Sequence, residues 1–163
     1  MQSGKATKDI MIGIFEYPHI PYWFSVSQAM RIIKVSFLST KKYPEPISIL
    51  VFDEKYNLVG TVGLREILKG IEPKLGVRVE GDEPSQWENL FKEAKTFAEK
   101  TLGEIMVPAK AFAEPHESIT KAAYLMLRND VPLLPVLEDK KKLVGVVRMV
   151  EIFSEIADEM LKE

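Results

Sequence analysis

The chain has no cysteine among its 163 residues, which excludes a disulfide framework, a thiolate metal site and a cysteine nucleophile. It has only two histidines, His19 and His116, each directly after a proline in what reads as a loop. Without a third ligand at metal spacing they are expected on solvated surface, and no metal site is assigned. An excess of one charge is missing too: 22 basic residues face 24 acidic ones, for a net charge of -2. No basic field is present to hold a polyphosphate backbone, so nucleic acid is not an expected partner. The longest apolar runs, ISILVF and VPLLPVL, fall far short of the roughly 20 residues that cross a bilayer. The opening MQSGKATKDIM has no apolar signal core. The expectation is a soluble, cytoplasmic protein with no membrane partner.

The vocabulary of catalysis is equally thin. No Gly-x-Ser-x-Gly elbow surrounds a serine, and no histidine is tied to a nucleophile by spacing. GTVGLRE (60–66) is too sparse in glycine for a phosphate loop or dinucleotide fingerprint. The acid pairs Asp53-Glu54 and Asp158-Glu159 read as solvated charge on a turn and a terminal helix. No catalytic residue is assigned, and the chain is not expected to be an enzyme.

What the sequence does contain is itself, twice. Residues 50–68 laid over 135–153 give 8 identities in 19 positions: Val51, Lys55, Leu58, Val59, Gly60, Val62, Glu66 and Ile67 recur as Val136, Lys140, Leu143, Val144, Gly145, Val147, Glu151 and Ile152. Upstream, SVSQAMRII (25–33) lies over SITKAAYLM (118–126), and KDIM (8–11) over GEIM (103–106), at offsets that change only in the loops. Each copy opens with a short segment, DIMIGIF or EIMVPAKAF, read as extended. Ser25 and Ser118 then stand at N-cap positions, and Gln28 completes a capping box with Ser25. Helices follow, with Val26, Ala29, Met30, Ile33 and Phe37 as the apolar face of the first copy and Ile119, Ala122, Ala123, Met126 and Leu127 as that of the second. ISILVFDEKYNLVGTVG and LLPVLEDKKKLVGVVR read as hairpins turning at DEKYN and EDKKK, so the lysines at 140–142 become a solvated tip. LREILKGI and MVEIFSEIADEML close the copies as second helices. The fold class is therefore α+β (α/β), two β-α-β-β-α repeats at 7–72 and 102–163 joined by a linker at 73–101. A unit of about 60 residues buries too little surface to stand comfortably alone, so the copies are expected to cover each other's apolar faces.

In the order of these elements the chain resembles the tandem CBS-domain pair, or Bateman module. The likeness rests on the DIM and EIM starts, on SVSQAM and SITKAA, on LLPVLED, and on the LVG-x-V-x-x-x-E-I endings, and it runs from about Lys8 to Leu161. It implies a pseudo-twofold pair of repeats, a regulatory role towards an unidentified protein, pairing into a homodimer, and clefts between the repeats that hold an adenosyl ligand such as AMP, ADP or ATP. Nucleotide-binding relatives carry Gly, two apolar residues, Ser or Thr, two variable residues and Asp at the end of the last strand. The carboxylate there accepts the ribose hydroxyls. Here the first copy reads Gly60-Thr61-Val62-Gly63-Leu64-Arg65-Glu66 and the second Gly145-Val146-Val147-Arg148-Met149-Val150-Glu151. The hydroxyl has become Gly63 or Arg148, and Glu stands for Asp in both.

Candidate ligand residues are thus Gly63, Arg65 and Glu66 in one cleft and Lys110, Arg148 and Glu151 in the other. A guanidinium at 148 suits an anion; equally, Arg148 can pair with Glu151 and Glu66 with Arg65 or Lys69 as plain helix-start ion pairs. Gly60 and Gly145 read as sites where another backbone comes close. The alternative function is a ligand-free scaffold, dimerising or docking through the 85–98 helix. There Trp87, Leu90, Phe91, Ala94 and Phe97 share one face. FEYPHIPYW (15–23) reads as a packed loop, SFLSTKKYPEP as an exposed one, and GVRVEGDEP as a turn.

Overall fold

The computed structural model describes residues 4–38, 48–71 and 86–162. SFLSTKKYPEP, beyond its first residues, and GVRVEGDEP lie outside them. The chain forms two compact units. One comprises Met1–Tyr17, Glu54–Leu58 and Ala109–Glu163; the other comprises Pro18–Asp53 and Val59–Pro108. Each takes its main body from one copy of the repeat and its opening segment from the other.

In the first unit the opening segment makes a single helical turn, α1 (Thr7–Ile10), then a two-residue strand, β1 (Ile12–Gly13), and a 3-10 turn, Ile14–Glu16. Helix α6 (Ile119–Asn129) leads into the hairpin of β5 (Leu133–Glu138) and β6 (Lys142–Arg148), and α7 (Met149–Met160) ends the unit. The sheet order is β1-β6-β5. The hairpin turns with Asp139 at φ 53° and Lys140 at φ 63°, closed by Lys141 N–H donating to Glu138 O at 3.1 Å. Two successive left-handed residues are what the right-handed twist of a hairpin asks for. Residues 140–142 are exposed, as a solvated tip should be.

The second unit holds β2 (His19–Pro21), α2 (Val26–Ile33) with a π-helical turn Lys34–Leu38, the strands β3 (Ser48–Phe52) and β4 (Leu58–Gly63), and α3 (Leu64–Ile71). After these come α4 (Gln86–Phe97) and a second helical turn, α5 (Leu102–Ile105). Its sheet order is β2-β3-β4. The caps are those the sequence announces: Ser25 Oγ accepts from Gln28 N–H at 3.2 Å while Gln28 Oε1 accepts from Ser25 N–H at 2.8 Å, and Ser118 Oγ accepts from Lys121 N–H at 3.1 Å.

The extended reading of the opening segments holds in part: each begins as a helical turn, closed by Met11 N–H to Thr7 O (3.0 Å) or Met106 N–H to Leu102 O (2.8 Å), and then pairs as strand β1 or as the bridge of Val107 to Thr61. Asp9 and Glu104 stabilise these turns by accepting from Ala6 N–H and Thr101 N–H at 2.8 Å each. FEYPHIPYW is also more than a loop. Pro18 and Pro21 hid a strand, tolerated because β2 is the sheet edge and pairs in parallel with β3 alone. Tyr17 and Ile20 are buried, and His19 lies in that strand with its ring 5.3 Å from Phe52, so it is not a solvated loop residue. The helical faces narrow too. Val26, Ala29 and Ile33, and Ala122 and Met126, are core, whereas Met30 and Leu127 face solvent; the Phe37 side chain is outside the described residues.

The two opening segments are tied down in parallel ways. Thr7 N–H donates to Glu117 O (2.7 Å) and Lys8 N–H to Pro115 O (2.9 Å); Leu102 N–H donates to Phe24 O (2.8 Å) and Gly103 N–H to Tyr22 O (2.9 Å). Each then lays its methionine and the next residue across the last strand of its unit, β1 on β6 at Ile12↔Val146 and Val107 against Thr61. The glycine in that strand permits the approach. A Cβ on Gly145 would sit 2.7 Å from Ile12 O and 2.7 Å from Met11 Sδ, and one on Gly60 would sit 2.9 Å from both Val107 O and Met106 Sδ.

Because the obstructing carbonyl oxygens belong to backbone fixed in a strand pair, they cannot give without parting it. Gly145→Ala and Gly60→Ala are therefore expected to cost about 1–3 kcal/mol each, read as lowered urea midpoints. Gly13→Ala, which would meet nothing within 4 Å, should stay within about 0.5 kcal/mol of the parent; equal losses at all three positions would refute this account.

Candidate functional site

Both copies finish with a strand that runs straight into a helix, and the two junctions share one hydrogen bond. At the end of β4, Gly63 N–H donates to Glu66 Oε1 at 2.7 Å; at the end of β6, Arg148 N–H donates to Glu151 Oε1 at 2.8 Å. In each, a carboxylate three residues into the helix bends back to satisfy the last amide of the strand, one of the donors a helix start leaves open. The spacing E-I in both copies places that acid on the first turn, where it also meets the positive end of the helix dipole.

The junctions differ in the side chain at the strand end. Gly63 contributes none. Arg148 folds its guanidinium onto Glu151, Nε lying 3.0 Å from both carboxylate oxygens and Nη2 2.5 Å from Oε2, with side-chain exposures of only 19% and 17%. The ion-pair reading of Arg148 and Glu151 thus describes the observed geometry. Glu66 instead turns to Gly63, and among the described residues no ion pair joins it to Arg65 or Lys69. Arg65 is exposed on the first turn of α3. Lys110 lies on an exposed bend in the same unit as Arg148 and Glu151. The six residues singled out from sequence therefore fall as two sets of three, one in each unit.

A second feature escaped the sequence reading. The segment MVEIFSEIADEML looks like one more core helix, yet Ile152 is the only large apolar residue of α7 that is buried, while Met149, Phe153, Ile156 and Met160 face solvent, Phe153 at 70% and Met160 at 77%. Their spacing of four, three and four is that of a helix–helix seam, and it was legible in the sequence once the inward stripe is known. Helix α6 packs beside α7 and exposes Tyr124 and Leu127. Among the described residues no cluster of three or more potential metal ligands occurs, and no helix is long and apolar enough to cross a membrane.

These observations can be set beside known proteins. The fold is that of a CBS pair. CBSX2 of Arabidopsis thaliana superposes with a TM-score of 0.71 at 20% identity, covering 99% of this chain and 100% of that one. CBSX2 in complex with AMP gives 0.71 at 19%, covering 96% and 99%. A CBS domain-containing protein from Bacillus anthracis gives 0.73 at 18%, covering 96% of each. The cytosolic domain of the Mg2+ channel MgtE in complex with ATP gives 0.63 at 21%, covering 91% of this chain and 48% of that one. Residues 102–158, the second copy of the repeat, match the CBS domain family model. No curated protein matches the chain in sequence.

At the start of α6 an electrostatic consequence can be tested. Burial pushes the Glu117 carboxyl up, but the ion pair with Lys121 and the hydrogen bond from Glu114 N–H (2.7 Å) outweigh it, leaving the group below its ordinary 4.5. A depressed folded value means stabilisation that is complete above pH 4.5 and is lost as the pH falls through the folded value. Parent and Glu117→Gln should therefore differ most in melting temperature above pH 4.5 and converge in acid. A gap that widens on acidification would contradict this.

Proposed function

We propose that the protein is a regulatory, non-catalytic CBS-pair module that binds a small anionic ligand, an adenine nucleotide, at a strand-to-helix junction and reports its presence to a partner protein. The observation that carries this reading is the carboxylate of Glu66. It is held three residues into α3 by one backbone amide, and among the described residues no other donor is bonded to it. A carboxylate so placed retains acceptor positions for two hydroxyls in one plane, the demand a ribose makes, and Arg65 beside it supplies positive charge for a phosphate. Relatives of this fold in complex with AMP and with ATP support the ligand class.

In a thermal-shift series of AMP, ADP, ATP, S-adenosylmethionine and NAD, at least one nucleotide is expected to stabilise the protein. At 100 times its dissociation constant it should add about 2.7 kcal/mol, and the gain should vanish in Glu66→Ala. A flat series would remove the sensor reading.

The α6–α7 face favours a second component of the same function, self-association. An aromatic side chain can bury about 150–250 Å², so Tyr124, Leu127, Met149, Phe153, Ile156 and Met160 together offer several hundred Å², approaching the roughly 800 Å² per partner of a standard interface. The charges are self-complementary, since α6 carries Lys121 and Arg128 and α7 carries Glu155, Asp158 and Glu159. A twofold laying α6 on the α7 of a second copy meets both conditions. Sedimentation should find a dimer that Phe153→Glu converts to a folded monomer; a dimer indifferent to that change would place the interface elsewhere. The scaffold alternative, docking through α4, is less favoured, because Phe97 is buried against Gly70 of α3, leaving Phe91 as its exposed aromatic among the described side chains.

A further inference from the structure

The two junctions have the same backbone clamp and opposite side-chain occupancy, and this asymmetry has a functional meaning. At the second junction Glu151 is saturated: Oε1 accepts from Arg148 N–H and Nε–H, and Oε2 accepts from Nε–H and Nη2–H. Those donors approach the carboxylate edge-on, in the bidentate manner with which a pair of vicinal hydroxyls would otherwise approach it. At the first junction the matching position is Gly63, whose only donor to Glu66 is its backbone N–H.

We infer that Arg148 is a built-in occupant of the second junction, standing where a ligand would donate, so that each chain offers one ligand junction, at Gly63–Glu66, and not two. The inference rests on the reading above that these carboxylates receive a nucleotide. It goes against the use of Arg148 as an anion grip. Swinging the guanidinium towards a phosphate strips a largely buried Glu151 of three of its four donor contacts, and an unpaired buried charge is strongly unfavourable. The pair is also local, three residues apart across the start of α7, so it re-forms without any rearrangement of the chain and competes with a ligand at high effective concentration. Sequence alone presents Gly63 and Arg148 as two similar losses of a hydroxyl; in the structure Arg148 bonds the Glu151 carboxylate, whereas Gly63 brings no side chain to Glu66.

The test counts sites. Isothermal titration with AMP is expected to give one site per chain for the parent and two for Arg148→Gly, which gives the second junction the glycine and glutamate of the first. Arg148→Ala serves as a second variant, and circular dichroism confirms that each is folded. Two sites in the parent, or one site in both folded variants, would overturn the inference. No site in the parent with one in Arg148→Gly would uphold the plug while removing the claim for Gly63–Glu66. No binding by any of the proteins would overturn both.

Discussion

The contact on which the rest of the structure depends is a thioether and a carbonyl oxygen pressed onto a glycine. In one unit Met11 and Ile12 cross β6 at Gly145; in the other Met106 and Val107 cross β4 at Gly60. Any side chain at these glycines would hold the opening segment off the strand, and the segment is what completes the exposed edge of the sheet and covers the apolar residues beneath it. Leu102 and Thr7, the first residues of the two opening turns, are fully buried. Thr7 is accommodated because its hydroxyl donates to Glu117 O at 2.9 Å, so no polar group is left orphaned.

That contact also accounts for the form of the repetition. The segments that match in sequence as KDIM and GEIM, and as LVG in each copy, are the two sides of one interaction, but an opening segment meets the glycine of the other copy's hairpin and not of its own. Duplication of the sequence preserved both halves of the contact, and the chain exchanged them. Neither copy can therefore be complete alone, for a more specific reason than small size: the last strand of each hairpin is left without the segment that crosses its glycine.

Much of this was legible before any coordinates. The caps at Ser25 and Ser118, the hairpins around DEKYN and EDKKK and the closing helices follow from residue type and period, because local hydrogen bonding and burial decide them. The exchange was not, since an internal repeat reveals that two segments are alike and not which one touches which. Strand β2 was missed because prolines argue against a strand unless it is known to be an edge. The outward stripe of α7 could not be told from a core stripe because apolar spacing in a helix has no sign: Ile152 and Phe153 are equally apolar, and only the packing of β6 and α6 decides which one faces inward.

At the junctions, sequence singled out Gly63, Glu66, Arg148 and Glu151 and left their roles open. The acid at the third helical position recurs along the chain, as Asp9, Glu66, Glu104 and Glu151, each accepting from the amide three residues before it, and Glu117 makes the same bond in the turn just before α6. As a device for starting helices it is structural, and that explains a glutamate at 66 and 151 without reference to any ligand. What distinguishes the junctions from the other three is that they end core strands, where the residue bearing the amide either has no side chain, as Gly63, or lays one on the carboxylate, as Arg148. The same carboxylate can serve as cap and as acceptor only while its remaining lone pairs are unclaimed. Among the described residues Glu66 accepts from Gly63 N–H alone, whereas Arg148 claims both oxygens of Glu151, and the difference in function proposed for the two copies rests on that one side chain.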